Sequence, residues 1–176
     1  MIEQGCVHIY CGDGKGKTSA AIGLAVRAAG NGNRVLIARF LKNDDSGEIV
    51  MLKTMKGIEI VPCSRSFGFV FQMDENTRKE AAVYYQEQFD HIWLYAREGR
   101  YDVLILDEIM AACTYGFVSE DSVLRMFEER PVGMEIVLTG RNPSETLLTH
   151  ADYVSEIRMR KHPYTKGICA RKGIEY

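Results

Sequence analysis

The feature that leaves this chain fewest options is the run Cys11-Gly12-Asp13-Gly14-Lys15-Gly16-Lys17-Thr18-Ser19, set between an apolar segment that ends at Tyr10 and an alanine-rich segment that begins at Lys17. Glycines free the backbone to turn with its N–H groups inward, Lys17 adds a cation, and a helix starting there contributes its positive end. Between a strand and a helix, such a loop cradles a nucleotide polyphosphate. Gly12, Asp13, Gly14, Lys15, Gly16, Lys17, Thr18 and Ser19 are therefore the expected nucleotide-binding residues. The spacing departs from G-x-x-x-x-G-K-[ST]: Cys11 stands where the first glycine belongs, and the loop from Gly12 is one residue shorter. Phosphate binding follows from the loop; ordinary γ-phosphate chemistry does not.

Apolar, β-branched runs recur at Val7–Tyr10, Arg34–Phe40, Ile58–Pro62, Val103–Leu106, Glu135–Leu138 and Tyr153–Ile157. Helical periodicity lies between most of them. A first helix is expected over Lys17–Ala29, with Ile22, Leu24, Ala25 and Ala28 inward and Gly30-Asn31-Gly32 as a left-handed stop. A long one covers Glu75–Glu98, Ser119 caps a third that runs through Glu129, and Ser144–His150 forms a short fourth. Near-continuous apolar strands separated by helices imply an α/β fold with a mostly parallel sheet covered by helices on both faces, and the phosphate loop between strand and helix makes a P-loop NTPase (RecA-like) fold the expected one. Loops after the strands then carry the chemistry.

With 176 residues, 46% of them hydrophobic, the chain suits one domain spanning 1–176. A net charge of −2 gives no bulk attraction to nucleic acid or anionic membranes, so neither is expected as a partner. Five scattered cysteines without a C-x-x-C pair point to reduced thiols and a cytoplasmic setting. No apolar run approaches membrane-spanning length and no leader pattern is present, so a soluble, unexported protein is expected. Met51, Met55, Met73, Met110 and Met126 read as core fillers, and His8 as a packed histidine.

Val103-Leu104-Ile105-Leu106 ends in Asp107 and Glu108, an apolar strand running into two acids. Magnesium prefers oxygen ligands and takes few carboxylates, so Thr18 with Asp107 or Glu108 and phosphate oxygens would complete a shell. No Ser/His/Asp or acid-pair constellation is apparent beside these elements. On these residues alone, a RecA-like ATPase or small-molecule kinase is one reading of the chain.

Four segments carry a more specific resemblance. They are Gly12 through Ser19 with its shortened spacing, Leu106-Asp107-Glu108 with the nearby Tyr115-Gly116, Leu138-Thr139-Gly140-Arg141-Asn142, and a tail from His162-Pro163-Tyr164 through Gly167-Ile168 to Lys172-Gly173-Ile174-Glu175-Tyr176. From Val7 to Tyr176 the chain resembles the ATP:corrinoid adenosyltransferases, P-loop enzymes in which cobalt(I) attacks the 5′ carbon of ATP and triphosphate leaves. Asp13 stands where that family often has asparagine, and the chain opens almost directly on its first strand, without the longer N-terminal arm of some members.

The resemblance implies an enzyme with MgATP and a reduced corrinoid as substrates, acting in adenosylcobalamin biosynthesis or salvage. Lys17, Thr18 and Glu108 would be catalytic, and Arg27 would match the arginine that contacts the nucleoside. Phe67-Gly68-Phe69-Val70-Phe71 is similar to the family's Gly-Phe-x-Trp element, which implies that Phe69 and Phe71 line the corrin and displace its lower ligand. Phe71 replaces the frequent tryptophan, keeping an apolar ring without an indole N–H. Arg141 and Asn142 would reach phosphate or corrin. A homodimer and an electron-donating flavoprotein partner are further implications. A nucleotide-dependent corrinoid carrier without catalysis is the remaining alternative.

Overall fold

Each apolar run becomes a strand in the computed structural model, which describes residues 4–43, 46–98 and 101–174. In chain order the elements are β1 (Val7–Cys11), α1 (Lys17–Gly30), β2 (Val35–Arg39), α2 (Gly47–Leu52), β3 (Ile58–Ile60), α3 (Glu75–Arg97), β4 (Val103–Asp107), α4 (Ile109–Thr114), α5 (Glu120–Glu129), β5 (Glu135–Thr139), α6 (Glu145–His150) and β6 (Tyr153–Glu156). The sheet has the order β3-β2-β4-β5-β1-β6, and every pairing in it is parallel. The fold expected from the sequence is the one observed.

Alternation along the strands decides which helix covers which face. Val35, Ile37, Val103, Ile105 and Val137 meet Ala21, Ala25 and Ala28 of α1 and Ile49 and Leu52 of α2. The residues between them, including Leu36, Ala38, Leu104, Leu106, Ile136 and Leu138, pack with Phe89 and Trp93 of α3, Met110 of α4, Met126 of α5 and Leu147 of α6. Connections that step along the sheet from β1 through β2 to β3 therefore use one face. Those that return through β4 and β5 to β6 use the other, as right-handed crossovers require. Small residues on α1 let it lie close to the sheet, which holds its N-terminus at the end of β1.

Capping explains several boundaries. The Asp74 carboxylate accepts from the Thr77 amide at 2.7 Å and starts α3; the Ser144 hydroxyl accepts from the Leu147 amide at 3.1 Å and starts α6. Ser119 stands at the N-cap position of α5, but its side chain makes no capping bond; its N–H donates to Gln86 Oε1 at 2.7 Å. The left-handed residue after α1 is Gly32 (φ 85°), while Asn31 keeps a negative φ. Met51 is 65% exposed and is no core filler, because it falls on the outer side of the two-turn α2. Met110 and Met126 are buried as expected. Glu175 and Tyr176 of the tail lie outside the described residues.

Candidate active site

Parallel strands bring their carboxyl ends to one edge, and the glycine loop lies there between β1 and α1. Two of its glycines are required by close approach. A Cβ on Gly12 would stand 2.4 Å from the Ile157 carbonyl oxygen and one on Gly14 2.7 Å from it, while the Gly14 N–H donates to that same oxygen at 2.8 Å. The loop is thus pressed onto the chain just beyond β6. Asp13 strengthens that contact: its carboxylate accepts from the Met159 amide at 3.0 Å. This bond, foremost, holds the Asp13 carboxyl below the ordinary carboxylate range. The side chain of Asp13 is therefore engaged in tying the loop to the tail.

Lys17 folds back over the loop and donates to the carbonyls of Gly12 at 2.8 Å and Gly14 at 2.9 Å. Burial pushes its ammonium below the ordinary lysine range, and the positive charge of Arg141 pushes the same way. Glu108 acts on Lys17 in the opposite direction. These influences bring Arg141 and Glu108 into the electrostatic neighbourhood of Lys17. Lys15 and Ser19 are exposed on the loop and the first turn of α1.

Beneath the loop, Asp107 is the best-held polar group. Its Oδ1 accepts from the Thr18 hydroxyl at 2.8 Å and from the Thr139 hydroxyl at 2.5 Å. Its Oδ2 accepts from Lys42 Nζ at 2.5 Å, and the same ammonium donates to Thr18 Oγ1 at 3.0 Å. Asp107 is 2% exposed, so these bonds replace water around a buried carboxylate. Thr139 Oγ1 also accepts from the Glu108 N–H at 2.9 Å, which fixes the backbone turn out of β4. Thr18 and Asp107 are oxygen donors of the kind magnesium takes, and a cation already sits against both of them, so the pair fits that metal. Among the described residues no group of three or more His, Cys, Asp or Glu side chains could hold a metal ion. A shell at Thr18 and Asp107 would need phosphate oxygens and water to complete it.

The backbone singles out the same edge. Leu41 (φ 55°), Glu108 (φ 63°) and Asn142 (φ 50°) are non-glycine residues in the left-handed region, and they follow β2, β4 and β5 respectively. Such conformations cost about 1–3 kcal/mol each and persist where surrounding contacts over-determine them. Here they turn three consecutive loops at the carboxyl edge. Gly140 (φ 149°) adds a close approach, since a Cβ there would meet Met110 Cβ at 2.6 Å.

The segment after β3 reaches this edge as well. It is a loop ending in a short 3-10 turn, Val70–Gln72, and no strand forms between Ser64 and Asp74. Phe67 anchors it, packing on Tyr84 and Tyr85 of α3 at ring-centroid distances of 5.5 and 5.8 Å, with the Arg65 guanidinium 4.3 Å from its ring centre. Phe69 and Phe71 stack on each other at 5.4 Å yet are 68% and 82% exposed. Together they form an exposed aromatic pair on a loop pinned at Phe67. β3 and β1 are four strand positions apart, which puts the two loops on the order of 19 Å from each other across the edge.

Not every residue singled out in the sequence converges here. Arg27 lies in the last turn of α1, exposed, ten residues beyond Lys17 and so roughly 15 Å further along the helix axis. His8 stacks on Tyr153 and shares a 2.7 Å hydrogen bond with Glu135 at partly buried positions of the sheet. Burial pushes the Cys113 thiol up to about 12. Lys42 and Arg39 were not singled out in the sequence, and Thr139 stood there only as a member of the Leu138–Asn142 segment. Arg39 is buried at the end of β2, bonding the Asn43 carbonyl at 2.7 Å and Cys63 Sγ at 3.4 Å, and so joins the loops after β2 and β3. The signal for Lys42 and Thr139 was their position, one just past the end of a strand and the other at its last residue.

Comparison with known proteins shows the family and the fold. A model of the family described as ATP:corrinoid adenosyltransferase BtuR/CobO/CobP matches residues 3–176. The corrinoid adenosyltransferase of Escherichia coli K12 is 31% identical over 175 residues, covering 99% of this chain and 87% of its own length. The corrinoid adenosyltransferase of Salmonella typhimurium has the same identity and coverage, and that of Pseudomonas aeruginosa is 30% identical over 179 residues, with 99% and 85% covered. Among solved structures, the flagellar accessory protein FlaH of Methanocaldococcus jannaschii superposes with a TM-score of 0.56 at 17% identity, covering 88% of this chain and 72% of its own. A KaiC-like protein of Pyrococcus horikoshii gives 0.55 at 15% identity, with 90% and 75% covered. These two share the P-loop NTPase-like fold.

Proposed function

Because the chain belongs to the ATP:corrinoid adenosyltransferase family, we propose that it transfers the 5′-deoxyadenosyl group of ATP to the cobalt(I) centre of a corrinoid and releases triphosphate, in adenosylcobalamin biosynthesis or salvage. The observation that carries this reading is the pairing, on one edge of the sheet, of a phosphate cradle with the exposed, stacked Phe69 and Phe71. Transfer of phosphate to a small acceptor does not call for an exposed aromatic pair on that edge; a flat macrocyclic second substrate does.

The chemistry asks little of the protein in proton transfer. Cobalt(I) donates its electron pair to the 5′ carbon, the carbon–oxygen bond breaks, and that pair leaves on the triphosphate. No proton moves, so positioning and stabilisation of the leaving charge are what the chain supplies. Lys17, the N–H groups from Gly12 to Thr18 and the N-terminal end of α1 receive the triphosphate. Occupied by phosphate oxygens, Lys17 exchanges its two loop carbonyls for a stronger, charged partner. Magnesium would be held by Thr18 and Asp107, with Glu108 beside them, and would neutralise charge on the leaving group. Arg141 and Asn142 approach the phosphates or the corrin from the β5 loop, and Arg27, at the far end of α1 from the loop, is assigned to the nucleoside on the strength of the family resemblance. Phe69 and Phe71 cover the lower face of the corrin and displace its axial ligand, which eases reduction of cobalt(II).

The chain acts as one adenosyltransferase domain over 1–176, in the cytoplasm, as a homodimer served by an electron-donating flavoprotein. No helix among the described residues is long and apolar enough to cross a membrane. The test is anaerobic incubation of the protein with MgATP and chemically reduced corrinoid in the dark. A light-sensitive adenosylated corrinoid is expected. A folded protein that binds MgATP and yields none would exclude the reading.

A further inference from the structure

Lys42 follows the left-handed Leu41 at the end of β2 and delivers its ammonium to the two oxygen donors best suited to a metal, 2.5 Å from Asp107 Oδ2 and 3.0 Å from Thr18 Oγ1. Nothing in the architecture of a phosphate loop demands a lysine there. The two ends of the pair differ in environment: the Asp107 side chain is 3% exposed, whereas that of Lys42 is 28% exposed. The carboxylate is fixed by Thr18 and Thr139, while the lysine stem reaches in from the rim and has solvent to return to.

We infer that Lys42 is a displaceable internal cation that occupies the Thr18–Asp107 cation position in the nucleotide-free protein, so that a divalent ion enters only together with the nucleotide. The competition explains the coupling. Magnesium sheds water reluctantly and Thr18 and Asp107 alone offer it few ligands, so against a tethered ammonium already in contact the free ion gains too little to displace it. A metal arriving on a triphosphate brings phosphate oxygens as further ligands, and the same phosphates offer the expelled ammonium a new anionic partner. Free metal therefore does not load the empty site, and unproductive metal binding is suppressed. This inference rests on the assignment of Thr18 and Asp107 as metal donors, and not on the identity of the second substrate.

The probe is Mn²⁺, followed by electron paramagnetic resonance without any turnover. The wild type is expected to bind Mn²⁺ at least tenfold more tightly with a non-hydrolysable ATP analogue than alone, by ~1.4 kcal/mol or more of coupling. Lys42→Met is expected to bind Mn²⁺ alone at least tenfold more tightly than the wild type does, and to gain thermal stability from Mn²⁺ where the wild type gains none. Adding Asp107→Asn to that variant is expected to abolish both effects. Equal Mn²⁺ affinity of wild type and Lys42→Met without nucleotide would overturn the inference. If Lys42→Met does not fold, the wild-type arm decides: equal Mn²⁺ affinity with and without the analogue would overturn it. Failure to adenosylate a corrinoid, with these metal results intact, would instead count against the reaction assigned above.

Discussion

Thr139→Val removes one oxygen atom from the centre of the site and leaves the shape of the side chain. The Thr139 hydroxyl donates to Asp107 Oδ1 at 2.5 Å and accepts from the Glu108 N–H at 2.9 Å, at a residue with no exposed surface. The first bond goes to a charged acceptor and contributes about 1.5–3 kcal/mol; the second, once lost, leaves a partly buried donor unpaired at about 1 kcal/mol. Together the substitution should cost roughly 3 kcal/mol, or about 6–12 °C in Tm for a domain of this size. Thr139→Ser keeps both bonds and loses one methyl, for about 1 kcal/mol. Differential scanning calorimetry of the two variants separates them by several degrees. Nucleotide affinity should fall in Thr139→Val and hold in Thr139→Ser, because only the first frees Asp107 and the left-handed turn at Glu108. Equal melting temperatures for the two variants would refute the claim that the hydroxyl, rather than its methyl, organises this end of the sheet.

Other consequences follow from the same geometry. Lys17 has its pKa lowered by burial, so in the free protein it loses its proton below the usual lysine range, while a bound triphosphate favours the protonated form. Nucleotide binding should therefore take up a proton and weaken as pH rises through that alkaline window, and the stability of the nucleotide-free protein should rise over the same window because the unfolded chain binds more protons there; isothermal titration calorimetry in buffers of different ionisation enthalpy reads the uptake, and Lys17→Arg should abolish it. Phe69→Ala should shift Tm by less than about 2 °C, since exposed substitutions stay within ~0.5 kcal/mol, and leave MgATP binding intact while abolishing protein-assisted reduction of cobalt(II) corrinoid; a parallel loss of nucleotide binding would mean that the aromatic loop is structural. Cys113, with its thiol pushed up to about 12, should resist iodoacetamide in the folded protein at pH 8 while the exposed Cys169 is modified, as mass spectrometry of the labelled peptides will show.

The frame of the molecule was legible because its signals are local. Glycine spacing from Gly12 to Gly16 placed the strand, loop and helix around it, and β-branched apolar runs such as Val103–Leu106, bounded by helical segments, read as buried strands. The long α3 follows from the recurrence of Tyr85, Phe89, Ile92, Trp93 and Ala96. The six-residue helices α2 and α4 were not legible, because so short a run gives periodicity too little length to register; α6, equally short, was read as a segment opening on Ser144. Met51 misled for a related reason: a methionine in a short helix has no pattern to say which side it faces. Within the site, the strand-end acids and the aromatic cluster could be seen in the sequence, but the contact from Lys42 to Asp107 joins residues 65 apart and depends on the strand order β2-β4. Thr139 belongs with them for the same reason: its partner Asp107 lies on the neighbouring strand. Asp13 adds a contact of the same long-range kind. Its place in the loop suggested a nucleotide contact, and its carboxylate also accepts from the Met159 amide, 146 residues away in sequence.

The central claim, attack at carbon rather than at phosphorus, is tested most directly by phosphorus NMR of the products formed from MgATP and chemically reduced cobalt(I) corrinoid under anaerobic, light-excluded conditions. Inorganic triphosphate that appears only when the corrinoid is present is the predicted result. ADP and phosphate formed without regard to the corrinoid would contradict it and make this protein a phosphoryl-transfer enzyme.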